Sequence, residues 1–351
     1  MAKPAPVDAS WPDPVGATQL QRVALPTSGP LLDVAVLVFD AGLSTLKQDS
    51  VDTVFAEVRK AESLFMPVQL RRALEKSGHW GVVRVLPERP DSSALIVSGK
   101  ILHADGRDLL LSVTATDATG REWLSRVYRG RTSASDYPVA NGRDPFENVY
   151  HRIANDLLAV RSDMDPADIA ALPDIALMRF AERLAPAVFS KYLERNSQGH
   201  LSLSGLPAEG DTMLQRIRRL QRQENLFIDT VDEQYRVLVE EFAPTYHLWR
   251  EYSRELVMYE EDYVVRASQR EMQSRRGTFS AMQQTYNTFR RAKVHEQDLY
   301  ELATGFDNEV TATVVDVDDR IFRLQGSLRE QFVEWRSLLE RIFALEANAT
   351  P

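Results

Sequence analysis

The chain contains no cysteine, which excludes disulfides, thiol catalysis and cysteine-ligated zinc while leaving the redox compartment open. It has no apolar run of membrane-spanning length. The start, "MAKPAPVDASWPDPVGATQ", lacks the apolar centre of an export signal, so it reads either as a cytoplasmic start or as a mature chain already relieved of its signal. A basic excess is missing too: 42 Lys and Arg stand against 51 Asp and Glu, a net charge of −9 that argues against a general nucleic-acid binder. The basic stretch "RIRRLQR" (216–222) sits among acidic neighbours and reads as a solvated helix face.

Catalytic signatures are equally scarce. Phosphate-loop and dinucleotide glycine patterns are absent, as is a G-x-S-x-G elbow. The six histidines are His79, His103, His151, His200, His247 and His295, and no two form a metal-pair spacing. His247 and Glu251, four apart, could share a helix face as two ligands would, but a third is lacking. His79 reads as a turn residue and His151 as a surface one. "YEEDY" (259–263) offers adjacent carboxylates, yet consecutive acids splay around a helix, whereas acid–base pairs converge from separate elements. No catalytic, cofactor-binding or metal-binding residue is therefore assigned, and the chain is not expected to be an enzyme.

What is present is architecture. Apolar residues make up 44% of the chain, enough to bury a core. Residues 1–30 carry six prolines and read as a flexible leader without a core of its own. "LLDVAVLVFDAG" (31–42) is an apolar run suited to a strand covered on both faces. Val54, Phe55 and Val58 begin a helical pattern, and "FMPVQLRRALEKSG" (65–78) gives a short amphipathic helix stopped at Gly78. "WGVVRVLP" (80–87), "ALIVSGKILHA" (94–104), "LLLSVTATDA" (109–118) and "EWLSRVYRGR" (122–131) are strands. Exposed turns at Asp105-Gly106 and Thr119-Gly120 would make the last three an antiparallel meander. "DPFENVYHRIANDLLAV" (144–160) is a helix with Asp144 as N-cap, Pro145 at its first position and Phe146, Val149, Ile153 and Leu157 as its stripe.

The strand ending in "VFDAG", the helix "PVQLRRALEKSG", the strand "HWGVVRVLP" and the meander "ALIVSGKIL" together resemble the N-terminal domain of TolB, the curli secretion lipoprotein CsgG and related periplasmic lipoproteins. The resemblance covers residues 31–160. It implies a domain that packs against partners in cell-envelope assemblies and performs no chemistry. The lipidated cysteine of many members has no counterpart in this sequence.

Beyond residue 163 the texture turns helical. Pro173 and Pro186 are expected to break residues 165–196 into pieces, and 197–211 reads as a Gly/Ser/Pro connector. Leu214, Ile217, Ile228, Val231, Tyr235, Leu238 and Phe242 fall on a three–four spacing. Trp249, Tyr252, Leu256, Tyr259 and Tyr263 continue it past a kink at Pro244, and Phe279, Met282, Tyr286 and Phe289 extend it. Two or three long helices are expected, with a turn near 274–278. "TATVVDVDDRIFRLQGS" (311–327) alternates about Asp318-Asp319, pairing Val315 with Phe322 and Val317 with Arg320. A closing helix with a Ser327/Glu330 capping box and a Leu328, Phe332, Trp335, Leu339, Ile342 stripe ends the pattern.

The expected fold is α+β in four parts. A leader (1–30) precedes a TolB/CsgG-like sandwich (31–162), then a helical bundle or coiled-coil hairpin (163–308), then a β-hairpin with its helix (309–351). The expected function is a non-enzymatic interaction or assembly component of the bacterial envelope, a periplasmic scaffold in a secretion or surface-assembly complex. Its partners would be other envelope proteins or further copies of itself, not nucleic acid, with membrane contact only through a lost lipid anchor. The tyrosine-rich stripe is either bundle core or a protein-binding face, and Trp249, Tyr252, Tyr259 and Tyr263 are the partner-facing candidates. Two alternatives are a soluble enzyme with its site between the sheet and the helical half, and a cytoplasmic regulator whose helices bind a partner.

Overall fold

The computed structural model describes residues 11–22, 30–43, 56–139, 143–270, 313–317 and 320–348. The fold is mixed α+β. Strands β1 (Val34–Leu37), β2 (Val83–Leu86), β3 (Leu95–Ala104), β4 (Asp108–Asp117) and β5 (Glu122–Arg131) form one sheet in the order β2-β1-β3-β4-β5. β1 is parallel to β2 and β3, as its covered Val-rich run suggests, and β3-β4-β5 are the antiparallel meander.

Helices α1 (Ala56–Ser77) and α2 (Glu147–Asp163) contact each other on one face of this sheet. Their apolar stripes explain the choice. Met66, Leu70 and Leu74 of α1 and Val149, Ile153 and Leu157 of α2 are at most 1% exposed, in one cluster with Val34, Val36, Val97 and Leu111. Gly130 lets α2 approach, because a Cβ there would press into Phe146 and Val149. α1 joins the helical pattern read around Val58 to the amphipathic helix read from 65–78, and it passes through Pro67 unbroken, while Val54 and Phe55 lie outside the described residues. Proline forfeits one helical hydrogen bond, but Phe65, Met66 and Val68 around it are at most 1% exposed, and that burial outweighs the loss.

α2 begins later than expected. Asp144 is not its N-cap. The helix starts at Glu147 after Phe146, and the Asp144 carboxylate takes the Phe146 N–H at 2.7 Å while facing inward to an ion pair. α3 (Pro166–Leu184) runs straight through Pro173, while α4 (Pro186–Phe189) does begin at Pro186. The connector 197–211 holds more structure than its composition suggested. β6 (Leu193–Arg195) and β7 (Leu201–Leu203) pair as a hairpin, tied to the sheet where Leu201 N–H donates to the Thr119 carbonyl.

The long helix α5 (Thr212–Arg270) packs on α1, β2 and α3. Every residue of its 214–242 stripe is buried, in one cluster with Phe65, Val85, Ile96 and Phe180. It covers the β2 edge of the sheet. Val85 N–H, pointing outward from β2, is taken by Asp232 at 2.6 Å, Arg71 lies 3.1 Å from the same carboxylate, and Arg84 reaches Asp229. An open strand edge is thus satisfied by helix side chains.

At the far end, β8 (Thr313–Val317) and β9 (Arg320–Leu324) pair in the register read from the sequence, with Val315 opposite Phe322 and Val317 opposite Arg320. α6 (Leu328–Asn348) carries the Ser327/Glu330 capping box. Its whole expected stripe is buried, and Trp335 stacks on Phe227 of α5 at 5.0 Å. Asp91 ties α3 and α6 together through Arg183 and Arg336. The expected turn at 274–278 and the apolar positions from Phe279 to Phe289 lie outside the described residues.

Candidate functional site

Three places gather polar or exposed apolar groups beyond what the core requires. The first is a buried ionic cluster between the sheet and α5. Arg250 is 1% exposed and makes two contacts to Asp144, at 2.8 and 3.4 Å. Its guanidinium lies over Phe146, Tyr246 and Phe65, with ring centroids 4.7, 5.0 and 5.7 Å away. Glu62 of α1 is 1% exposed, accepts the Tyr246 hydroxyl at 3.0 Å and lies 3.6 Å from Arg59.

Burial raises the Glu62 carboxyl above the usual range, against the pull of Arg59 and Arg250. Burial also raises Tyr246 and Tyr150, and it pushes His247 down to about 4. For Arg250, burial works against the charge, but Asp144 together with Tyr246 and Tyr137 outweighs it, and the group is held cationic. This is where the enzyme alternative would place its centre. The groups are turned toward one another behind aromatic rings, and what the arrangement does is clamp α5 to α1 and to the start of α2.

The β3–β4 turn belongs to the same clamp. Asp105-Gly106 was expected to be exposed. Instead Gly106 is buried at φ +80°, and a Cβ there would collide with the Arg250 carbonyl oxygen. The Ser253 hydroxyl donates to the Asp105 carbonyl at 2.9 Å and the Tyr137 hydroxyl to the Gly106 carbonyl at 2.8 Å. Only a residue without a side chain lets the α5 backbone come this close.

The second place is a cavity of about 310 Å³ between leader residues 12–18 and β5, with Arg126, Arg129 and Arg152 on its wall. The leader is therefore not wholly a tether, since residues 11–22 are docked. Val15 N–H bonds the Arg129 carbonyl at 2.7 Å, Thr18 N–H bonds Asn148 at 2.8 Å, and Asn155 both donates to the Gln19 carbonyl and accepts from Gln21 N–H. Trp11 lies beneath the Arg129 guanidinium at 5.2 Å. His151 of α2 helps hold this segment, its Nδ1 lying 3.1 Å from the Thr18 carbonyl oxygen.

The third place is the outer face of α5. Leu226, Val237 and Leu248 are 68%, 42% and 45% exposed and stand eleven residues apart. Eleven residues make three helical turns, so the three side chains fall on one face of α5, which continues as helix through Pro244. Arg218 and Arg222 are exposed at the basic end of this line and Glu255 at its acidic end.

The partner-facing candidates divide across these places. Trp249 is corrected: it is 4% exposed, in the core, stacked on Tyr246 with centroids 6.3 Å apart. The three–four stripe that made it conspicuous is the inward stripe, and Tyr235 shares its burial. Tyr252 and Tyr259 are half-buried on α5, and the Tyr263 side chain lies outside the described residues. His247 is half-buried with its ring edge on Phe65 at 5.5 Å, and among the described residues no three metal-ligating side chains cluster. No described helix is long and apolar enough to cross a membrane.

Sequence reasoning missed Glu62, Asp144 and Arg250 as a unit, because they come from segments separated by more than 80 residues. The Leu226–Val237–Leu248 line was legible in principle as an eleven-residue spacing off the core stripe. No family model, curated protein or solved structure matches the chain.

Proposed function

We propose that the protein is a non-enzymatic assembly component of the bacterial envelope, a periplasmic scaffold that builds its complex by pairing α5 with α5 of a second copy. The envelope placement is supported by the resemblance of residues 31–160 to the TolB and CsgG domains. The pairing rests on a single observation, the equal spacing of the exposed Leu226, Val237 and Leu248.

A two-fold axis through Val237 sets two such helices antiparallel and brings Leu226 of each copy against Leu248 of the other. That self-complementarity is what a closed dimer interface requires. With a rise of about 1.5 Å per residue, the three contacts span about 33 Å. The same axis carries Arg218 and Arg222 of one copy to Glu251 and Glu255 of the other, so the charged ends favour the antiparallel order. Tyr252 lies beside the line and Tyr259, eleven residues beyond Leu248, continues it; both are half-buried.

Sedimentation velocity over a concentration series tests the pairing. The native chain should shift from monomer to dimer, and Val237→Glu, which sets two carboxylates against each other on the axis, should stay monomeric with an unchanged circular dichroism spectrum. A native chain that is monomeric throughout would overturn the pairing. Fractionation of cells making the full natural gene product tests the placement, and recovery in the cytoplasm would overturn it.

A further inference from the structure

β5 is the sheet's second edge, and although α2 packs against it, among the described residues no helix side chain takes one of its backbone groups as Asp232 of α5 takes the Val85 N–H on β2. Strand alternation fixes which of its backbone groups face outward. Thr132 N–H bonds the Arg107 carbonyl at 2.8 Å, so even-numbered positions bond β4, while Arg129, Val127 and Ser125 turn their N–H and C=O groups away from the sheet. Val15 of the leader already uses the Arg129 carbonyl, and by Thr18 the leader has left for Asn148 on α2. Among the described residues, Val15 is the main-chain partner on this edge. Ser125 and Arg126 beside it are exposed and Val127 is half-buried, on the wall of the 310 Å³ cavity.

The charge around this edge runs against that of the whole chain. Arg126 and Arg152, about half exposed, share one carboxylate, Asp156, at 3.1 and 2.8 Å, and Asp156 also accepts the Tyr128 hydroxyl. Arg107, Arg129 and Arg131 converge on a single buried carboxylate, Asp108. Among the described residues, and counting Asp13 on the cavity wall, the four guanidinium groups of Arg126, Arg129, Arg131 and Arg152 face the three carboxylates of Asp13, Asp108 and Asp156, in a chain whose net charge is −9. At Asp156, where Arg126 and Arg152 are about half exposed, the shared carboxylate leaves guanidinium donors facing solvent that can take a further anion.

We propose that this notch binds an extended acidic peptide, which adds a strand to β5 beside Val127 and Ser125 and places alternate carboxylates on Arg126 and Arg152. The Val15 N–H on the Arg129 carbonyl shows that an outward backbone group of this edge takes a main-chain donor, and the arginines specify the chemistry of the segment that would pair beyond Val15. Because strand side chains alternate, carboxylates two residues apart fall on the α2 side of the sheet, where Arg126 and Arg152 both reach Asp156. The residues between them lie on the opposite side with Val127. The ligand is thus an acidic–apolar alternating segment recognised by strand addition. This surface is separate from the outer line of α5 and does not depend on the pairing proposed for it.

Fluorescence anisotropy with the full chain and a labelled Glu-Val-Glu-Val-Glu peptide tests the inference. Lys-Val-Lys-Val-Lys and the reordered Glu-Glu-Glu-Val-Val serve as comparisons. The alternating acidic peptide should bind best and weaken with added salt. Arg126→Glu and Arg152→Glu should each reduce its affinity by about tenfold or more. Val127→Pro should abolish binding by removing the outward N–H at an edge position where proline is tolerated. If Val127→Pro lowers the unfolding midpoint, the arginine variants and the reordered peptide still decide the matter. Equal affinity for the two acidic peptides would mean a generic anion site and overturn strand addition. Failure of all three peptides to bind, or indifference to Arg126→Glu, would overturn the site itself.

Discussion

The Asp144–Arg250 pair should respond to mutation as a buried clamp does. Asp144→Ala removes both ion-pair contacts at 2.8 and 3.4 Å and the acceptor of the Phe146 N–H. It strands a guanidinium that is 1% exposed. Removing one partner of such a pair costs about 3–5 kcal/mol, chiefly because the remaining charge is buried uncompensated. Arg250→Met should cost a similar amount by stranding Asp144. The double variant should cost far less than the sum, about 2 kcal/mol, mostly from lost cation–π contact with Phe146, Tyr246 and Phe65. Asp144→Asn, which keeps an acceptor for Phe146, should fall between native and Asp144→Ala. Urea unfolding followed by far-ultraviolet circular dichroism and by tryptophan fluorescence measures this, with Trp249 stacked on Tyr246 as the local reporter. Single variants within about 1 kcal/mol of native, or strictly additive costs in the double, would show that the pair is not a coupled buried unit.

Gly106→Ala should destabilise by about 3 kcal/mol, because the position has φ +80° and its new Cβ would displace the α5 backbone at Arg250; an unchanged urea midpoint would contradict that packing. Tyr246→Phe should cost about 1–2 kcal/mol through loss of the hydrogen bond to Glu62. Tyr150→Phe should be neutral or stabilising, since its buried hydroxyl has no hydrogen-bond partner among the described residues. His247 has a folded-state pKa depressed to about 4, below its ordinary 6.5. Its contribution to stability is therefore present above pH 6.5 and is lost as pH falls through 4, up to about 3 kcal/mol. His247→Phe should flatten the acid limb of the stability–pH curve between those values, and an equally steep limb would refute the assignment.

Local pattern carried most of the fold. The α2 stripe from Phe146 to Leu157, the 214–242 stripe of α5 and the α6 stripe from Leu328 to Ile342 are all buried as their periodicity requires. The β8–β9 register follows from alternation alone. What periodicity could not give is which surfaces meet. Asp144 had every feature of an N-cap in the sequence. Its partner Arg250 lies 106 residues away, and that long-range pair moved the helix start to Glu147. Gly106 looked like an exposed hairpin turn until α5 came to rest on it. Trp249 looked like a partner contact because aromatic residues favour interfaces, but its position on the inward stripe sends it to the core. The β5 arginines were read only as strand residues, since Asp156 and Arg152, which complete the charge cluster around Arg126, belong to a helix beyond the meander. The α5 line was hidden for a simpler reason: eleven-residue spacing stands out only once the helix is known to continue unbroken past Pro244.

The absence of cysteine gives the account its most direct test. A single cysteine placed at Val237 lies on the proposed two-fold axis, where two copies bring the same position within disulfide reach. Under mild oxidation Val237→Cys should give a disulfide-linked dimer in high yield. Leu226→Cys alone, though more exposed, should not, whereas a mixture of Leu226→Cys and Leu248→Cys should yield the mixed dimer. Val237→Cys remaining monomeric while Leu226→Cys crosslinks with itself would contradict the antiparallel pairing, and with it the assembly role assigned to α5.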